Sequence, residues 1–299
     1  MPNLILFGAG ASYGSQRNDR PPLGNQLFAD LRKFDPTGWG SITGVLAKSF
    51  EIDFETGMGY LPGEAFQTFQ LKLAEYLFGF EPSNGNLYRK LAKRLRTFKK
   101  NKGHLWDGSL ITLNYDRLLQ LAFEREFVKF SLLPQVDTYE LCAVHGLCNL
   151  FSSTTPDRVP ILIKDPSASV RDTNPDRAHT LVATKAEFER ACSLAPIMSF
   201  YERAKRSSTH PEWLEARRKR FADLTTKAER IAIVGVSVQE QDIHIWQPLA
   251  SSPAKMLYCS LDVNGFQIWR RCRTRNDDEL AVGEFADQFD HILSFLGLC

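Results

Sequence analysis

The sequence predicts an α/β protein with a doubly wound, mostly parallel sheet and a helical insertion that forms a small lobe. Three observations carry that prediction. Short, continuous apolar runs alternate with stretches of helical periodicity. Several of these runs end in glycine or small polar residues. One interval, residues 36–104, is too long to be a simple connection. Continuous runs mark strands buried on both faces, which is the habit of parallel sheets covered by helices.

In chain order, the first strand is residues 4–7, followed by the glycine turn Gly8-Ala9-Gly10. A short helix then fits residues 25–34. Within the insertion, residues 71–78 and 86–100 are helical, the second carrying Leu87, Leu91, Leu95 and Phe98 on one stripe. The next strand is 110–113. Residues 116–130 form a helix with Leu118, Leu119, Ala122, Phe123 and Phe127 at helical spacing. Strands follow at 141–144 and, more weakly, 181–183. Residues 185–206 and 211–230 are helical, with Pro211 suited to a first turn. Strands at 231–236 and 256–261 precede a closing helix at 278–296. The whole chain, 1–299, reads as one Rossmann-like domain without internal repeats.

Composition narrows the function classes. The 299 residues are 43% hydrophobic and 24% charged, with a net charge of +2, which is ordinary for a globular protein and excludes a broadly basic nucleic-acid coat. The six cysteines show no C-x-x-C spacing, as expected of reduced thiols in a cytoplasmic protein. No apolar run approaches the roughly 18 residues of a membrane helix. The apolar start of the chain lacks a positive segment and runs into glycines, so it reads as a strand rather than a leader.

A strand followed by G-x-G suits a turn that approaches a diphosphate. A hydride-transferring dehydrogenase would add a third glycine and an acidic residue closing the second strand. Position 13 is Tyr13, Asp30 falls inside a helical stretch and Asp35 precedes Pro36, so that chemistry is disfavoured. Four further motifs close strands: Asn114-Tyr115-Asp116, His145-Gly146, Gly235-Val236-Ser237 and Asp262-Val263-Asn264. The carboxyl edge of an open α/β sheet is where ligands bind. Each motif also has a plain reading. Asn114 suits a helix cap, His145 a core histidine, Ser237 a cap, and Asp242 a first-turn acid.

Taken in order, Gly-Ala-Gly-Ala-Ser, Asn-Tyr-Asp, His-Gly, Gly-Val-Ser and the final Asn resemble the sirtuin family. More narrowly, they resemble the bacterial sirtuin-like proteins that cleave NAD in anti-phage defence. The resemblance spans residues 4 to about 265. It implies NAD as substrate, with Asn114 and His145 as the catalytic pair. It also implies that Gly8, Ala9, Gly10 and Ser12 cradle the diphosphate and that Asp116 holds the nicotinamide carboxamide or supports its loop. Gly235 with Ser237 would contact a phosphate or ribose, and Asn264 the adenosine ribose. The zinc module of two C-x-x-C pairs found in the deacylases is missing, as is their phenylalanine-arginine element after the glycine turn. The expectation is therefore an NAD hydrolase that depletes NAD when triggered. Two alternatives stand beside it, an NAD-dependent protein deacylase and a non-catalytic NAD- or ADP-ribose-binding regulatory module. The retained Asn114 and His145 weigh against the second.

Cys142-x-x-His145-x-x-Cys148 has the look of metal ligands, but strand alternation separates residues 142 and 145, so no metal is expected. The basic stretch Arg89, Lys90, Lys93, Arg94, Arg96, Lys99 and Lys100 reads first as a solvated helix face. A subunit contact or a nucleic-acid contact stays open. An enzyme that destroys NAD needs gating, and a resemblance that runs from residue 4 to about 265 is expected to leave little room in these 299 residues for a sensor domain. The expectation is a homo-oligomer, with a partner such as a hexameric ATPase, contacting through the insertion or through Phe285, Phe289, Ile292, Leu293 and Phe295 of the closing helix.

Overall fold

The computed structural model describes residues 2–61, 63–152, 179–192, 195–200, 210–239 and 241–299. The chain runs β1 (Asn3–Phe7), α1 (Ala9–Gly14) and α2 (Gly24–Phe34), then a 3-10 turn at Trp39–Ser41. The insertion continues with α3 (Gly44–Ile52), α4 (Phe54–Gly59), α5 (Gly63–Phe78) and α6 (Leu87–Lys102). Next come β2 (Gly108–Thr112), α7 (Leu118–Arg125), β3 (Phe130–Ser131), β4 (Tyr139–Ala143), β5 (Leu150–Ser152), β6 (His179–Leu181) and α8 (Lys185–Ala191). The last part holds α9 (Pro211–Lys227), β7 (Arg230–Val234), α10 (Ile243–Ser251), β8 (Lys255–Ser260), α11 (Val263–Arg270), β9 (Glu279–Val282) and α12 (Phe285–Phe295).

Among the described residues the main sheet has seven strands in the order β3-β4-β2-β1-β7-β8-β9, each neighbouring pair parallel. This is the expected doubly wound α/β architecture. The chain leaves β1 toward β2 on one side and returns to β7 on the other. The β1–β7 boundary is therefore the switch point, where connections diverge and leave a crevice at the carboxyl edge.

The period-2 alternation of strands divides the core. Ile5, Phe7, Leu110, Ala232, Val234 and Leu257 face a cluster that includes side chains of α6, α12 and the insertion. Leu4, Leu6, Ile111, Ile231, Ile233 and Met256 face a second cluster with side chains of α9, α10 and α11. Central strands are thus apolar on both faces, which is why they appear as unbroken runs. The insertion has its own aromatic packing. Trp39 is fully buried, with ring centroids 5.3 Å from Phe50, 5.7 Å from Phe54 and 4.9 Å from Phe69.

Several expected elements are redrawn. The helix expected over 116–130 stops at Arg125, because Phe127 takes a left-handed conformation (φ +55°) and the chain turns into the edge strand β3. The strand near 181–183 lies outside the main sheet, since β6 pairs antiparallel with β5. The helix expected over 185–206 ends at Ala191. Met198, in the non-helical stretch 195–200, makes an antiparallel bridge to Gly146, and residues 201–206 lie outside the described ones. The closing helix over 278–296 divides into edge strand β9 and α12, with Gly283 at φ +149° between them. Phe285, Ile292, Leu293 and Phe295 are buried and Phe289 packs against them, so the apolar surplus on this helix is used within the fold.

The basic helix is partly explained by the fold. Asn86 caps α6 by accepting from Tyr88 N (2.9 Å) and Arg89 N (3.4 Å), and Gly103 ends it at φ +78°. Arg89, Lys93 and Arg96 converge on the buried Glu126 carboxylate at 2.7, 3.7 and 4.0 Å. These three charges bind α6 to the end of α7, while Lys90, Arg94, Lys99 and Lys100 remain on the exposed face. Glu126→Gln is expected to lower stability by about 2–3 kcal/mol, toward the low end for breaking a buried pair because Lys93 and Arg96 keep access to water. The shift in urea midpoint measures it, with α6 helicity followed by circular dichroism.

Candidate active site

Two glycine turns meet at the carboxyl ends of β1 and β7. Gly8 N donates to Val234 O (3.0 Å), Gly10 N to Gly235 O (2.9 Å) and Gly235 N to Cys259 O (2.8 Å). These bonds lock the exits of β1, β7 and β8 together. Side chains have no room here. A Cβ on Gly8 would sit 2.6 Å from Gly235 O, and one on Gly235 would sit 2.1 Å from Ala11 N. Gly235 also has φ +63°, a conformation that only glycine adopts at little cost.

Above this junction opens a cavity of about 670 Å³, within the roughly 300–1,000 Å³ usual for small-molecule sites. Its lining includes Gly8, Ala9, Gly10, Ser12, Asn114, Asp116, His145, Gly235 and Ser237, contributed by the ends of β1, β2, β4 and β7. Asn264 is exposed in the first turn of α11 and is absent from that lining. Asp262 lines the cavity instead. Its carboxylate accepts from Val238 N (2.9 Å) and Gly265 N (3.0 Å), so it joins the loop after β7 to the start of α11.

Asn114 is buried, and its amide donates both hydrogens inward, to Gly8 O (2.9 Å) and Ser12 Oγ (2.9 Å). Its backbone N–H donates to Thr112 Oγ1 (3.0 Å). It does not cap α7, whose N-cap is Arg117; the Asp116 carboxylate, one residue earlier, accepts from Leu118 N (2.9 Å) at the first helical position. Ser12 Oγ lies 3.2 Å from the Tyr88 hydroxyl, extending the network into α6. Burial pushes the Asp116 carboxyl above its ordinary range, opposed by the Leu118 N–H and the Ser12 hydroxyl. Burial raises the Tyr88 and Tyr115 phenols well above their ordinary value, so both stay protonated. Tyr115 donates to Ser199 O (2.6 Å).

His145 leaves β4 beside Gly146, whose φ is +80°. A Cβ there would sit 2.0 Å from Ile197 O, so glycine lets the 195–200 stretch close against the turn. Ser199 N donates to His145 O (2.9 Å) and Leu147 N to Ile197 O (2.9 Å), which fixes the backbone carrying the imidazole. His145 Nε2 lies 2.9 Å from His244 Nε2. Ligand atoms of His145, His244 and Asp242 all fall within 4.8 Å of one another. Asp242 precedes α10 without capping it by its side chain, and His244 follows in the first turn. The sequence reading missed His244, whose only local signal is Asp242-x-His244 at a helix start.

The cysteines beside His145 diverge. Cys142 packs in the core cluster on one face of the sheet and Cys148 in the cluster on the other. Burial pushes the Cys142 thiol up to about 12 and Cys148 higher still, so both stay protonated. They are poor ligands where they stand. No helix among the described residues is long and apolar enough to cross a membrane.

No family model matches the chain, and no curated protein sequence matches it. Among solved structures, the chain is similar to a Sir2 protein in complex with the inhibitor EX-527, 2′-O-acetyl-ADP-ribose and a deacetylated p53 peptide. Identity is 14% and the TM-score 0.48, over 100% of this chain and 95% of the other. It is also similar to a sirtuin solved to address substrate affinity, at 15% identity and TM-score 0.44, over 98% and 93% of the two chains. The parallel architecture itself is read from the strand pairing of this chain.

The glycine junction makes a direct prediction. Gly235→Ala is expected to cost about 2 kcal/mol or more, since a left-handed alanine adds strain to a backbone clash. Thermal denaturation measures it, and Ser237→Ala, at an exposed position on the same loop, serves as the near-neutral comparison.

Proposed function

We propose that the chain hydrolyses NAD to nicotinamide and ADP-ribose. The observation that carries this reading is the convergence of Asn114 and His145, from separate strands, on one cavity above the paired glycine turns. The N-glycosidic carbon–nitrogen bond breaks with its electron pair going to the pyridinium nitrogen, so nicotinamide leaves neutral and needs no strong acid. Water then forms the new bond to the ribose carbon and gives up a proton. His145, the imidazole that lines the cavity, takes that proton.

The role of Asn114 follows from its hydrogen bonds. With both amide hydrogens committed inward, what it offers a ligand is the Oδ1 acceptor, held rigid against β1 and α1. That oxygen can orient the attacking water or a ribose hydroxyl, which is catalysis by positioning. The diphosphate contact is narrower than the glycine motif implies. The Gly10 N–H is donated to Gly235 O and the Ser12 hydroxyl is buried in the Asn114 network, leaving Ala9 and Ser237 as the exposed members at the mouth. Ser12 thus acts on the ligand through Asn114.

In this reading the chain is an anti-phage defence effector, whose NAD consumption must be held in check until triggered. Assembly with copies of itself, or with a partner such as a hexameric ATPase, is the simplest gate. The exposed basic face of α6 is one surface for it.

Incubation with NAD followed by chromatography for nicotinamide and ADP-ribose tests the reading. Asn114→Ala and His145→Ala are each expected to lower turnover about 100-fold or more while the fold survives. His145→Ala should keep ADP-ribose binding. Normal turnover in either folded variant would overturn its catalytic assignment, and loss of ADP-ribose affinity at unchanged stability would make His145 a binding residue. Light scattering tests the gate, and a monomer fully active by itself would refute control by assembly.

A further inference from the structure

We propose that His145, Asp242 and His244 form a binding site for one divalent ion of the zinc class at the rim of the cavity, and that the ion switches off the NAD cleavage proposed above. The site is argued from geometry and donor chemistry alone; its regulatory effect rests on the hydrolase reading.

The three ligand atoms lie within 4.8 Å of one another, and the two imidazole Nε2 atoms are 2.9 Å apart. Nitrogens bound at about 2.0–2.1 Å to one ion stand about 2.9 Å apart at a right angle and about 3.4 Å apart at the tetrahedral angle. With the ring centroids 5.1 Å apart the two nitrogens face each other head-on, one imidazole donating to the other, so each ring must turn by roughly 40° to give up that hydrogen bond and aim at a common centre. A carboxylate oxygen supplies the third position, and the cavity leaves room for water at a fourth. Two imidazoles and one carboxylate favour zinc, cobalt, nickel or copper over magnesium or calcium, which prefer oxygen cages.

The ligands sit on two firm supports. His145 is fixed by the β4 exit and by the Ser199 N–H bonded to its carbonyl. Asp242 and His244 flank the start of α10, where Ile245 N and Trp246 N donate to Asp242 O at 2.8 and 2.9 Å. The positive end of α10 and the Arg218 charge acting on Asp242 both oppose a cation, and the carboxylate offsets them. The site should accordingly hold metal less tightly than a closed four-ligand centre, as suits a reversible switch. The effect on catalysis follows from one lone pair. Nε2 of His145 can bind a metal or accept a proton, but it cannot do both.

Cobalt(II) is the direct probe, because its visible absorption reports binding without turnover. Chelator-treated full-length chain titrated with Co²⁺ is expected to develop one saturable band set per chain, free of thiolate charge transfer. His244→Ala and Asp242→Asn should each weaken binding at least tenfold, the second serving if the first fails to fold. Absence of saturable binding, or unchanged affinity in both folded variants, would overturn the site. Zn²⁺ should then suppress nicotinamide release from NAD, with recovery on chelation. Zinc that leaves turnover unchanged or raises it would overturn the switch. A chain that binds cobalt but cleaves no NAD, either alone or in its assembled form, keeps the metal site and sinks the hydrolase reading, whereas cleavage without a cobalt site does the reverse.

Discussion

Everything at the carboxyl edge hangs on the contact between the β1 and β7 turns. Gly10 N donates to Gly235 O, and the missing side chains of Gly8 and Gly235 let the two backbones touch. That contact sets the floor of the cavity at the switch point of the sheet. It also explains why the glycines recur as a pair far apart in sequence. Gly8 needs the space that Gly235 vacates, and Gly235 needs the left-handed conformation that only glycine takes cheaply.

A buried polar network grows from this floor. Asn114 ties the β2 exit to Gly8 and Ser12, and Ser12 in turn reaches Tyr88 on α6. Low polarity around Asp116 and Tyr88 strengthens each of these bonds while making any unpaired member costly. The result is a rigid Asn114 with one acceptor left to present. On the other side of the cavity, His145 is held by Gly146 and the 195–200 stretch. The site thus joins residues braced by different elements, so that their placement at the sheet edge is set by several contacts at once.

Much of the fold was legible because central parallel strands are apolar on both faces. Residues 4–7, 110–113, 141–144, 231–236 and 256–261 all appear in the main sheet within a residue or two. The edge strands β3 and β9 were not legible. Each is short and only half covered, so its residues merge with the adjoining helical pattern. The 195–200 stretch escaped for a related reason, since what holds it is a bridge from Met198 to Gly146, far away in sequence. The basic charges of α6 looked like a surface feature until Glu126, on a separate segment, was seen to gather three of them.

The sequence by itself determined the architecture and the strand ends at which Gly8, Asn114, His145 and Gly235 fall, because burial periodicity and glycine placement are local properties. It could not determine which side chains meet. The pairing of His145 with His244 spans 99 positions, and that of Asn114 with Ser12 spans 102. Only the sheet order brings them together. The same is true of direction: whether Ser12 faces a ligand or braces Asn114, and whether Asp262 or Asn264 lines the cavity, depends on how helices dock against the strands. Those contacts are set by tertiary packing, in which a side chain's partners are chosen by shape and burial rather than by neighbours along the chain.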